Sequence, residues 1–99
     1  MNLEDNGANE LIITGNIKSI EDSIEIKKAI NALKSRGAKS LMLRIQDSFS
    51  MTSTVIGYLM KSVEIDKYPV SIIASDRRLY RLFEELSLVQ SFNVRLVEK

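Results

Sequence analysis

Two hydrophobic periods alternate along this chain, and that alternation limits its fold more than any other feature. Runs of strand character, Glu10-Leu-Ile-Ile-Thr14, Leu41-Met-Leu-Arg-Ile45 and Val70 to Ala74, are separated by segments whose apolar residues recur at helical spacing. Strands that alternate with helices are joined through crossovers and lie parallel, so the pattern predicts an α/β fold. The expected architecture is a central, mostly parallel sheet of four to five strands with helices packed on it. At 99 residues and 44% hydrophobic content, the chain can bury roughly two-thirds of its unfolded surface but is too short for two cores. Residues 1–99 therefore read as one domain, with 1–8 a short edge strand or tail.

The local signals place the elements. Met1 to Asp5 reads as an edge strand turned back at Asn6-Gly7, a dipeptide favoured in tight hairpins. Ser19-Ile-Glu-Asp22 has the spacing of a capping box, and Ile26, Ala29, Ile30 and Leu33 form one apolar stripe before Gly37 stops the helix. Ile56, Leu59, Met60 and Val63 repeat at helical spacing up to about Lys67, and Pro69 bars further helix. Ser75 is placed to cap a third helix with the stripe Leu79, Leu82, Phe83 and Leu86. Phe92, Val94 and Leu96 alternate with polar neighbours as a closing edge strand would, leaving Glu98 and Lys99 as a frayed end.

Residues Leu41 to Met60 carry the clearest functional signal: an apolar strand runs through a short polar turn into the hydroxyl triplet Thr52-Ser53-Thr54 at the start of a helix. The first N–H groups of a helix are unpaired and partly positive, so a serine there is well placed to hold a phosphoryl group. An ordinary N-cap accounts for the same residues, because Ser and Thr accept bonds from those N–H groups.

Composition closes several routes. The net charge is +1, from 14 basic and 13 acidic residues, which argues against nucleic acid or an anionic membrane surface as partner. Cysteine and histidine are both absent, removing disulfides, thiolate chemistry and the commonest general base and metal ligand. No apolar run approaches a membrane span of ~20 residues, and the acidic amino terminus is unlike a signal peptide. A cytoplasmic protein without cofactor or metal is the expectation. Asp47 and Asp66 have no carboxylate neighbour at ligand spacing. Arg77, Arg78 and Arg81 form a basic face that Glu84 and Glu85, one turn along, are placed to neutralise. Met42, Met51 and Met60 read as gap-filling core residues, with Met51 also a candidate exposed contact; Tyr58 suits core or rim.

The element order, taken with Leu11-Ile-Ile-Thr-Gly15-Asn-Ile17, the strand Leu41 to Ile45, and Met51-Thr-Ser-Thr-Val-Ile-Gly57-Tyr-Leu59, resembles the STAS domain of bacterial anti-sigma factor antagonists. The resemblance covers about residues 10 to 96. Arg78-Leu-Tyr-Arg-Leu-Phe83-Glu-Glu-Leu-Ser-Leu88 followed by Phe92 looks like the family's third helix and exit. It implies a binding module, not an enzyme, that docks on an anti-sigma factor, a serine kinase of the histidine-kinase-like ATPase type. Ser53 falls on the family's phosphorylated serine, and Met51, Thr52, Ser53, Thr54, Ile56 and Gly57, with Lys18 and Arg44 at the rim, would form the partner surface. Phosphoserine adds nearly two negative charges and so opposes docking.

The chain departs from that pattern in one direction. Thr52, Lys18 and Arg44 stand where the family carries acids or an Asn, and Val55 stands where it prefers Gly. The resemblance then implies a changed partner, with Val55 stiffening a place of close approach. Two further readings stay open: a non-phosphorylated STAS scaffold subunit of a signalling or transport complex, and an anion- or nucleotide-binding sensor at Lys18, Arg44 and the terminus of the second helix.

Overall fold

The computed structural model describes residues 1–98. Its elements run β1 (Asn2–Asp5), β2 (Glu10–Thr14), α1 (Ile20–Ser35), β3 (Leu41–Gln46), α2 (Ser53–Glu64), β4 (Val70–Ala74), α3 (Arg77–Glu85) and β5 (Val94–Leu96). The five strands form one sheet in the order β1-β2-β3-β4-β5. β1 pairs antiparallel with β2, and every later pairing is parallel. The protein is α/β, as the alternating periods require.

Each parallel crossover steps to the next strand in the same direction, and right-handed crossovers of that kind return every helix on one side. Burial follows. Leu11, Ile13, Leu43, Ile45, Ile72 and Ala74 are fully shielded and share one core with Ile26 and Ile30 of α1, Val55 and Leu59 of α2, and Leu79 and Phe83 of α3. Alternate strand residues, including Ile12, Met42, Arg44 and Ile73, point the other way and stay partly exposed. The sheet thus has one face under helices and one bare face.

Local chemistry sets the boundaries. The Ser19 hydroxyl accepts from the Asp22 N–H at 3.0 Å, and the Asp22 carboxylate accepts from the Ser19 N–H at 3.4 Å, so the capping box closes as read. Gly37 ends α1 at φ +90°, a conformation that costs a side-chain-bearing residue more. Lys34 of α1 lies 5.4 Å from the Tyr58 ring centre and 4.9 Å from that of Tyr68, and donates to the Ser62 hydroxyl, fastening α1 to α2. β1 is held by a two-pronged ion pair from Arg36 to Asp5, at 2.6 and 3.1 Å.

Several sequence expectations are revised. The hairpin after β1 uses residues 6–9 rather than a two-residue turn, because the Asn6 N–H reaches the Glu10 carbonyl. α2 ends at Glu64, short of Lys67. The cap of α3 is Asp76, whose carboxylate accepts from the Arg78 N–H at 2.8 Å, while the Ser75 hydroxyl turns to the Ile45 carbonyl. Leu86 is exposed, and Phe92 lies before β5 in a turn, fully buried edge-on to Phe83 at 5.9 Å. Arg77 pairs with Glu98 and Arg78 with Asp76, so Glu84 and Glu85 are not their partners. Glu98 is therefore tied down; Lys99 lies outside the described residues. Among the described residues no helix is long and apolar enough to cross a membrane, and no group of acidic residues is gathered to hold a metal ion.

Candidate functional site

Parallel strands deliver their carboxyl ends to one edge of the sheet, and in open α/β sheets that edge is where crevices and exposed loops collect. Here residues 15–19, 47–52 and 75–76 meet. The Phe49 N–H donates to the Asn16 side-chain oxygen at 3.0 Å, the Gly15 N–H to the Gln46 carbonyl at 2.9 Å, and the Asp47 N–H to the Ser75 hydroxyl at 3.4 Å. These bonds fix the loop that feeds α2.

Thr52 is the N-cap of α2. Its hydroxyl accepts from the Val55 N–H at 3.3 Å and lies 2.8 Å from the Ser23 hydroxyl, which in turn donates to the Ser19 carbonyl at 3.2 Å. One arrangement satisfies every group: Thr52 donates to Ser23, and Ser23 donates to Ser19. Ser23 is only 2% exposed, so its hydroxyl must be paired, and this chain pairs it. Thr52 is thereby committed to structure, and the mouth of α2 is positioned against the capped start of α1.

Ser53 is the first residue of α2 and is exposed; its hydroxyl makes no hydrogen bond among the described residues. Thr54 beside it is exposed as well. Gly57 follows one turn later on the same outer stripe, with no atom within 4 Å of where a Cβ would sit. Ile56 and Met60 flank this stripe and pack partly against the core. A glycine inside a helix weakens it by about 1 kcal/mol relative to alanine, and nothing within the chain calls for one here.

The remaining candidates divide. Met51 is 8% exposed and Val55 is fully buried, so both belong to the core and neither is a contact surface. Val55 and Leu59, four residues apart on the inner side of α2, face the sheet, and Met51, in the loop just before the Thr52 cap, tucks into the same core. Lys18 is exposed in the loop before α1, where its N–H donates to Asp22 at 3.1 Å. Arg44 is not beside it. The period-2 alternation of β3 buries Leu43 and Ile45, which sends Arg44 to the bare face, where it pairs with Glu10 at 2.9 Å. A rim of two cations around the α2 terminus is therefore not formed.

Two residues outside the sequence-based set belong to this edge. Phe49 is 45% exposed, with the Arg78 guanidinium 4.6 Å from its ring centre. Beneath them lies an open hollow of about 310 Å³ lined by Phe49, Ser50, Arg78, Arg81, Leu82 and Glu85. An aromatic flanked by serines in a polar turn was the available signal. Ser23 is the other; its place on the stripe of Ile26, Ile30 and Leu33 marked it as a hydroxyl facing the interior.

The titrating groups of the edge are held by their caps. The Lys18 N–H, followed by that of Ser19, holds the Asp22 carboxyl below its ordinary value, and the Arg78 side chain does so for Asp76. Burial pushes the Tyr58 phenol up, with Asp66 adding to it; its hydroxyl donates to Asn31 at 2.6 Å. The two carboxylates serve as helix caps, and the Tyr58 hydroxyl ties α2 to α1. What the edge presents to solvent is the start of α2, with Ser53 and Thr54 exposed. Comparison with protein-family models, curated proteins and solved structures finds no match to this chain.

Proposed function

We propose that this chain is a STAS-like regulatory module of the cytoplasm. In this reading it acts as an anti-sigma factor antagonist, or its functional analogue, and binds a serine kinase of the histidine-kinase-like ATPase type through the start of α2. The observation that carries the reading is the pair Ser53 and Gly57. One offers a free hydroxyl at the partly positive mouth of a helix, and the other, one turn on, leaves backbone open to close approach. Phosphorylation of Ser53 would be accepted by the helix terminus yet would place nearly two charges in a contact surface, weakening docking. The partner supplies the base and magnesium site for that transfer.

A scaffold role without phosphorylation is the second reading, favoured by Thr52. Where the family has an acid beside the serine, this chain has a hydroxyl already engaged with Ser23 and Val55. The anion-sensor reading loses Arg44 to the bare face of the sheet and keeps only Lys18 near the α2 terminus.

Affinity capture from native lysate with wild type, Ser53→Ala, Ser53→Asp and Gly57→Gln tests the proposal. Loss of one partner with Ser53→Asp and with Gly57→Gln, and its retention with Ser53→Ala, is expected. Equal recovery with all four proteins rejects the α2 surface, and loss with Gly57→Gln alone supports the scaffold. Mass spectrometry of the native protein must also find phosphate on Ser53 for the switch to stand.

A further inference from the structure

Parallel sheets are ordinarily covered on both faces, and here the side away from the helices is bare. Its pattern is ordered. The strand registers place Glu4, Ile12, Arg44, Ile73 and Arg95 in a single row across all five strands, and Glu10, Met42 and Ser71 in the next row. Glu4 and Arg95, at opposite ends of the first row, are exposed and have no ion-pair partner among the described residues. Arg44 in the middle is neutralised by Glu10.

We infer that this face binds a second copy of the chain, sheet against sheet, about a two-fold axis that runs along the strand direction over β3, midway between the two sheets. That rotation lays each row on itself reversed. Glu4 of one copy then faces Arg95 of the other, Ile12 faces Ile73, Met42 faces Met42 and Glu10 faces Ser71. Arg44 meets Arg44 at the axis, each with its own counter-ion. The other in-plane two-fold, across the strands, sets Glu4 on Glu4 and Arg95 on Arg95 and is opposed by like charges. Shallow depressions of about 50 and about 90 Å³ border Ile73 on either side and give the partner's Ile12 a seat. Sheets stacked this way cross at about 30°, a rotation that exposed Glu and Arg side chains can span.

The contact is small. Five strands about 4.8 Å apart and about five residues long present a footprint of roughly 400 Å², against about 800 Å² per partner in a standard interface. The dimer is accordingly weak and concentration-dependent. Its strands run in one direction in both copies, so the two Ser53 edges lie at the same end with α2 facing outward. This inference does not depend on what binds at Ser53.

Sedimentation equilibrium of the full chain up to about 1 mM, at low and high salt, tests it. A monomer–dimer equilibrium weakened by salt is expected. Arg95→Glu should weaken it at least about tenfold, and Glu4→Arg combined with Arg95→Glu should restore it, because the swapped charges face each other again. Ile73→Asp should abolish it, with circular dichroism unchanged for each variant. A protein monomeric throughout, or a dimer indifferent to Arg95→Glu, overturns the inference, as does a double variant no better than Arg95→Glu alone.

Discussion

The hydroxyl oxygen of Thr52 lies 2.8 Å from that of Ser23, joining the cap of α2 to the buried side of α1. Thr52→Val removes both the cap and this link. The expected loss is about 1–2 kcal/mol, a fall in melting temperature of about 4–8 °C for each kcal/mol in a domain of this size. Thr52→Ser should keep most of it. Scanning calorimetry of both variants decides, and equal losses would deny the hydroxyl this role.

Ser53 should tolerate charge within the folded chain. An aspartate at the first residue of a helix interacts favourably with its N-terminus by about 0.3–1 kcal/mol. Ser53→Asp is therefore expected to raise the melting temperature slightly at low ionic strength, and the gain should fade as salt is added. Destabilisation would mean the side chain is not free in solution. The same variant is expected to lose its partner, which separates folding from docking.

At Gly57 no neighbour opposes a methyl group. Gly57→Ala should stabilise the protein by about 0.5–1 kcal/mol in urea unfolding. A loss of stability would show that the outer stripe of α2 is occupied within the chain. At Val55 the opposite holds: Val55→Gly opens a cavity under α2 and weakens the helix. Its expected cost is about 2–4 kcal/mol, and a cost below 1 kcal/mol would contradict the burial.

Acid should unfasten the caps. Asp22 and Asp76 titrate below their ordinary value in the folded chain, lowered by the Lys18 N–H and by Arg78 respectively. A depressed carboxyl contributes stability that is complete above its unfolded value near 4 and lost as pH falls through the folded one. Melting temperature should therefore drop as pH is taken from about 5 to below 3. Asp22→Asn and Asp76→Asn should each flatten that slope, and an unchanged slope in both would remove the assignment.

The strands were legible because apolar alternation in β2, β3 and β4 is the direct imprint of one shielded face, and the α1 stripe and capping box were equally plain. The same alternation contained the position of Arg44: with Leu43 and Ile45 inward, Arg44 had to leave by the other side. Its expected place at the rim follows from the resemblance and not from the pleat. Ser75 and Asp76 are both acceptable caps, and the choice turned on the Ile45 carbonyl, a partner thirty residues away that no local pattern reveals. Likewise the partners of Arg77 and Arg78 are Glu98 and Asp76, one brought by the chain's return and one lying before the helix, outside its i,i+4 spacing. The order of the strands and the sidedness of the helices follow from topology, which periodicity does not encode.

Winding every helix onto one side divides the substitutions this protein can tolerate into two sets interleaved residue by residue. Changes at Leu11, Ile13, Leu43, Ile45, Ile72 and Ala74 answer to folding, whereas Ile12, Arg44 and Ile73 contribute little to the core beneath. In a mutational scan of living cells, fitness costs at those outward positions that exceed the measured loss of folding stability would point to an encounter between molecules.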